Sequence, residues 1–240
     1  MTDQADWNRD MARGQLYRDR THAGECLAAR LEAYRDTRAL VLGIPRGGVP
    51  VAAEVARLLA ADLDVVVARK LRAPDFPELA IGAVTANGGQ FLNPDIIREL
   101  AVSRDYLTKE IAFQMADARR REERFRGGHA PRDLKDRVVI IVDDGLATGA
   151  TMRAAVRSVR SGRPARLVVA VPVGSTQACA ALRQEADELI CLVTPEEFWA
   201  VGAYYLRFEP VEDDEVARIL RVAHQEAAIE TVEDEQRRRS

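Results

Sequence analysis

The sequence is poor in the residues that build metal centres and disulfide frameworks. It has three cysteines, Cys26, Cys179 and Cys191, and no CxxC pair. An odd, scattered set reads as reduced, mostly buried thiols of a cytoplasmic protein. His22, His129 and His224 stand far apart and fit no metal-ligand spacing. No apolar run approaches the ~20 residues of a membrane span, and the opening "MTDQADWNRD" has no apolar signal core. A surplus of one charge is also missing: Lys and Arg number 35 against 38 Asp and Glu, a formal charge of −3. No global field would draw nucleic acid or anionic lipid, so neither partner is expected. Two phosphate motifs are absent as well. No GxxxxGK[ST] occurs and no GxGxxG follows a strand, which argues against a P-loop kinase and a dinucleotide-binding oxidoreductase.

What is present is ordinary globular material. Apolar residues make up 47% and charged residues 30%, enough for a sizeable core. The 240 residues suit one large domain with a small addition. A polar arm is expected over residues 1–20, the main domain over 21–210, and a C-terminal helix with a frayed tail over 211–240. Strands are predicted at 39–45, 64–70, 79–89, 138–142, 166–173 and 188–193. Helices are predicted at 21–34 with Thr21 as cap, 49–60, 93–100, 103–125, 149–160 and 176–184. In the third of these Asn93 caps and Pro94 takes the first helical position. The apolar strands are continuous, so both faces should be covered. Alternation with helices gives an α/β fold with a doubly wound, mainly parallel sheet.

Residues 138–152 read "VVIIVDDGLATGATM". In a doubly wound sheet, ligands sit at the carboxyl ends of the strands, where Asp143 and Asp144 stand. The next residues bend into a helix whose free N–H groups and dipole form an anion site. Thr148 and Thr151 add hydroxyl donors, and Gly149 lets the backbone approach a ligand. An acceptor pair beside a phosphate cradle calls for a phosphorylated sugar. The other possibility for the aspartates is capping of the turn, but one cap would suffice and adjacent carboxylates repel.

This segment resembles the phosphoribosyl diphosphate (PRPP) signature of the type I phosphoribosyltransferases: an apolar run, two acids, a short turn, then T-G-x-T. The resemblance implies that Asp143 and Asp144 hold the ribose 2′- and 3′-hydroxyls. It implies that Ala147, Thr148, Gly149, Ala150 and Thr151 hold the 5′-phosphate. "GIPRGGVP" (43–50) resembles the family's pyrophosphate loop; Gly47 and Gly48 expose amides and Arg46 offers a forked donor. Arg69 and Lys70 end the predicted second strand, where the family often places a basic residue for diphosphate; solvent-facing charges are the alternative. The segment 101–134 falls where the family has a mobile lid, although a solvated amphipathic helix also explains its charge run. "TPEEFWAVGAYYLRF" (194–208) resembles the hood that builds the base pocket, with Trp199 as the stacking aromatic or as part of a core cluster.

Two departures from the hypoxanthine-guanine pattern bear on the base. Leu206 replaces the acid that reads an exocyclic group. Ala147 replaces an aspartate, as in adenine phosphoribosyltransferases. The resemblance covers about residues 38–208, and is greatest to a bacterial branch of unassigned substrate. It implies a Mg2+-dependent transfer from PRPP to a nucleobase, with Mg2+ held by PRPP and water rather than by a protein ligand. A homodimer is expected. The rival reading is a PRPP- or nucleotide-binding regulator without transferase activity.

Overall fold

The computed structural model describes residues 16–239, with side chains to residue 227. Most of the polar arm expected over 1–20 lies outside the described residues. In chain order the elements are α1 (Arg20–Arg30), β1 (Leu40–Gly43), α2 (Gly48–Leu59), β2 (Asp62–Val65), β3 (Ala68–Arg72), β4 (Ala80–Thr85) and β5 (Gln90–Leu92). Then come α3 (Pro94–Glu99), α4 (Arg104–Arg126), β6 (Val138–Val142), α5 (Ala150–Ser161), β7 (Arg166–Val173), α6 (Thr176–Leu182), β8 (Glu188–Val193) and α7 (Asp213–Arg239).

Five strands form one parallel sheet in the order β2-β1-β6-β7-β8. Successive residues of a strand point to opposite faces, and here both sets are apolar. Val41, Ile140 and Val168 pack against Leu27, Val55, Phe125 and Leu220 of α1, α2, α4 and α7. Leu42, Ile141 and Val169 pack against Met152, Val156 and Leu182 of α5 and α6. Each such side chain contributes about 1.5–3 kcal/mol on burial. The doubly wound reading therefore holds for this sheet.

The remaining strands differ from expectation. The run 64–70 is not one strand: β2 stops at Val65, and β3 opens a separate antiparallel sheet, β3-β4-β5. Val65, Val66 and Val67 are all buried, so the apolar run continues through the turn between the sheets and hides it. The Val66 amide still bonds to Gly43 O, while the Val67 amide turns to Glu122 Oε1.

Local signals at the helix ends mostly work as the side-chain chemistry requires. Asn93 Oδ1 accepts from the amides of Asp95 and Ile96, and Ser103 Oγ accepts from Tyr106. Helix α1, however, is capped by Asp19, whose Oδ1 accepts from His22 N. Thr21 lies inside the helix.

Candidate active site

Parallel register sets the site. Gly43 pairs with Val142, and Val142 with Ala170, so β1 and β6 end side by side in the middle of the sheet. The loop after β1 therefore lies against the acids after β6. A Cβ on Gly47 would run into Asp144 Oδ2, and one on Gly48 would sit 2.8 Å from Asp143 Cα. Any side chain at these two positions would displace the acids. The Pro45–Arg46 peptide in this loop is cis.

Asp143 and Asp144 stand together at the carboxyl end of the central strand β6, and Asp144 N donates to Asp143 Oδ1 at 2.9 Å. Burial first, and the charge of Asp144 second, push the Asp143 carboxyl well above the usual range. Burial also raises Asp144, but Arg20 opposes the shift. Arg20 Nε donates to Asp144 Oδ2 at 2.9 Å, with both side chains largely buried.

The segment that follows is held open by its own backbone. Leu146 N bonds to Val173 O, Ser175 N bonds to Leu146 O, and Ser175 Oγ donates to Ala147 O at 2.7 Å. Ala147 and Thr148 are exposed. Gly149 takes φ +78°, a left-handed value that only glycine adopts cheaply, and α5 begins at the next residue. First-turn amides have no partner within their own helix. Residues 147–151 thus present amides, two threonines and a helix dipole beside the two acids.

Arg46 is half-exposed, and its Nη1 reaches Glu212 Oε2 at 3.4 Å and Asp213 Oδ1 at 3.8 Å. Arg69 and Lys70 do not end a strand of the main sheet, because the chain has already turned at Val66 and Val67. Lys70 is an exposed residue of β3 paired with Ala83. Directly paired residues share a face, and Ala83 packs against Ala150 and Ala154 of α5. Lys70 therefore belongs to the face that meets the start of the phosphate helix. Arg69 faces the other way, its Nε 2.9 Å from Asp117 Oδ2. Burial pulls the Arg69 guanidinium below its usual range.

The segment 101–134 is built mainly as α4, with most of its arginines in ion pairs. Arg126 bridges Asp64 and Glu122 at 2.9 and 2.8 Å, while Arg121 and Arg124 reach Asp213. In 194–208, Phe198 stacks on Tyr204 at 5.7 Å between ring centroids. Val201 fills the space beside Gly145. Tyr205 donates its hydroxyl to Asp144 O at 2.6 Å. Trp199 is not in that cluster and stands 83% exposed. Two residues of the site had no sequence signal, Arg20 and Tyr205. Their partner Asp144 is 124 and 61 positions away.

The profile of the phosphoribosyl transferase domain family matches residues 14–208. The chain belongs to that family. A Mycobacterium tuberculosis protein provisionally named a phosphoribosyl transferase is 44% identical over 214 residues, covering 89% of this chain and 48% of its own. The chain thus spans about half the length of the curated relatives it matches. The crystal structure of the Thermus thermophilus protein TT1426 aligns with TM-score 0.73 at 47% identity, over 85% of this chain and 97% of that one. A shorter match, 39% over 84 residues, is to the bifunctional protein PyrR of Bacillus pumilus, covering 34% of this chain and 43% of that protein. Among the described residues no helix is long and apolar enough to cross a membrane.

Proposed function

We propose that this phosphoribosyl transferase domain transfers the ribose 5-phosphate of PRPP to a nitrogen of a nucleobase, releasing diphosphate. The observation that carries the reading is the Asp143–Asp144 pair, packed on Gly47 and Gly48 and followed at once by the amides of 147–151. The pair accepts the ribose 2′- and 3′-hydroxyls and the helix start takes the 5′-phosphate. Arg46 and Lys70, with the amide of Gly47, take the diphosphate; the Gly48 amide is already spent on Ile44 O at 3.0 Å, so Gly48 serves by its missing side chain rather than by an exposed N–H. As the bond at C1 breaks, the sugar becomes oxocarbenium-like, and an ionised carboxylate beneath it stabilises that charge. The nitrogen lone pair forms the new bond to C1 while the C1–O electron pair leaves with diphosphate, and the ring N–H proton that the base gives up passes to water. Trp199 offers an exposed indole face for a planar base.

Among the described residues no group of three His, Cys, Asp or Glu is arranged to hold a metal. Bound with PRPP and water, Mg2+ would neutralise diphosphate charge. The regulatory alternative draws on Ala147 and Leu206, which lack the acids of the hypoxanthine-guanine pattern. Incubation with PRPP, Mg2+ and a panel of bases, with diphosphate release as readout, tests the proposal. Base-dependent release is expected. PRPP binding without release under any base would favour the regulator.

A further inference from the structure

Arg20, the first residue of α1, is fixed by three contacts of different kinds. Its Nε donates to Asp144 Oδ2 at 2.9 Å and its Nη1 to Glu209 O at 2.8 Å. Its guanidinium carbon lies 3.8 Å from the centroid of the Phe208 ring. The ion pair is largely buried, with side chains 12% and 14% exposed. A guanidinium that only balanced charge could do so from solvent. This one is locked in orientation between the base-side segment and the acid pair.

The surroundings of Asp144 make the lock consequential. Asp143 lies beside it on the same strand end. From the hood comes the Tyr205 hydroxyl, with Tyr17 packed behind it. The loop after β1 contributes glycine, and its Arg46 turns away to Glu212 and Asp213. Among the described residues, Arg20 is the cation that pairs with Asp144, and Asp143 has no ion pair. Two adjacent buried carboxylates cannot both ionise cheaply, so whichever has the cation carries the charge.

We propose that Arg20 is a positioning residue of the sugar site, which makes Asp144 the ionised member of the pair and Asp143 the protonated one, and ties segment 205–209 to that charge. The inference rests on the reading of the pair as the ribose diol site. Its content is an asymmetry: one ribose hydroxyl meets a carboxylate that only accepts, the other a carboxyl that also donates. The alternative is a strut that joins α1 to the hood and leaves the acids alone.

Carbon-13 NMR titration of the aspartate carboxyls in the ligand-free protein separates the two, with Asp144 assigned through Asp144→Asn. In Arg20→Gln and Arg20→Met the Asp144 midpoint should rise by about one to three pH units, the range for loss of a neighbouring opposite charge. Arg20→Lys keeps a cation without the fork and should show a smaller rise. The acid limb of kcat/KM should move up with the midpoint. A strut predicts lower Tm with an unmoved midpoint, and that result in a folded variant would overturn the proposal. If the neutral variants do not fold, Arg20→Lys decides it by the presence or absence of the smaller rise. If wild type releases no diphosphate, the transferase reading fails, while the carboxyl titration still decides the role of Arg20.

Discussion

Replacing Gly47 by alanine separates the folding of the loop from the working of the site. Gly47 lies at φ −62° and ψ −31°, values open to any residue. The backbone does not oppose the change, and the methyl favours folding by about 0.4–1 kcal/mol through the unfolded chain. The new Cβ would, however, run into Asp144 Oδ2, the oxygen that accepts from Arg20 at 2.9 Å. Turning that carboxylate away loses a charge-assisted bond, at a cost of about 1.5–3 kcal/mol. The net loss is about 1–2 kcal/mol, or roughly 2–8 °C in Tm at this size. PRPP affinity should fall by about tenfold or more, because the displaced group is the one assigned to the ribose. The assay is a double-mutant cycle with Asp144→Ala, read by denaturant unfolding and by calorimetry with PRPP and Mg2+. In the Asp144→Ala background the obstacle is gone, so Gly47→Ala should be neutral or slightly stabilising. Equal destabilisation in both backgrounds, or wild-type PRPP affinity in the single variant, would refute the reasoning.

Arg46→Ala should weaken diphosphate binding by about 1.5–3 kcal/mol and ribose 5-phosphate binding much less, with little change in Tm because its ion pairs are exposed; equal loss for both ligands would show the loop to be misassigned. The raised Asp143 carboxyl gives a signed pH effect. Its contribution to stability is full below the unfolded value of about 3.9 and is lost as pH rises through the raised folded value. Asp143→Asn, which keeps an acceptor for the Asp144 amide, should therefore raise Tm at neutral pH and leave it unchanged near pH 3; a gain that grows on acidification would contradict this. Trp199→Ala should leave stability within about 0.5 kcal/mol, since the ring is 83% exposed. It should raise KM for the base about tenfold, as lost stacking predicts, with PRPP affinity unchanged.

The parts of the site that were legible in the sequence are those built from consecutive residues. "VVIIVDDGLATGATM" carries its strand, acids, turn and helix start in one stretch, and each is fixed by its neighbours. The glycines of 43–50 were legible for the same reason, since close approach needs residues without a side chain. The break at Val65 was hidden because the turn between sheets is as buried as the strands around it. Misreading it put Lys70 on the wrong sheet. Arg20 and Tyr205 reach Asp144 only through tertiary packing, and nothing in a stretch of α1 or of the hood marks a contact so far along the chain. The cap of α1 was displaced by two residues because Asp19 and Thr21 are both good caps and backbone geometry chose between them. The charge run of α4 reads in sequence as a solvated helix face or a lid, yet Arg126 is held by Asp64 and Glu122, partners whose positions only the fold supplies.

The central claim is that Asp143 and Asp144 hold the ribose and that the ionised carboxylate stabilises the cationic sugar. The direct measurement is turnover and PRPP affinity for wild type and Asp144→Asn side by side, with Tm as the folding control. Asparagine keeps the shape and one acceptor but removes the charge, so the folded variant should bind PRPP somewhat less tightly and turn over far more slowly. The loss in turnover should exceed the loss in affinity, because the carboxylate contributes most in the transition state. A folded Asp144→Asn protein with near-wild-type turnover and affinity would contradict the account, since asparagine caps a turn as well as aspartate does.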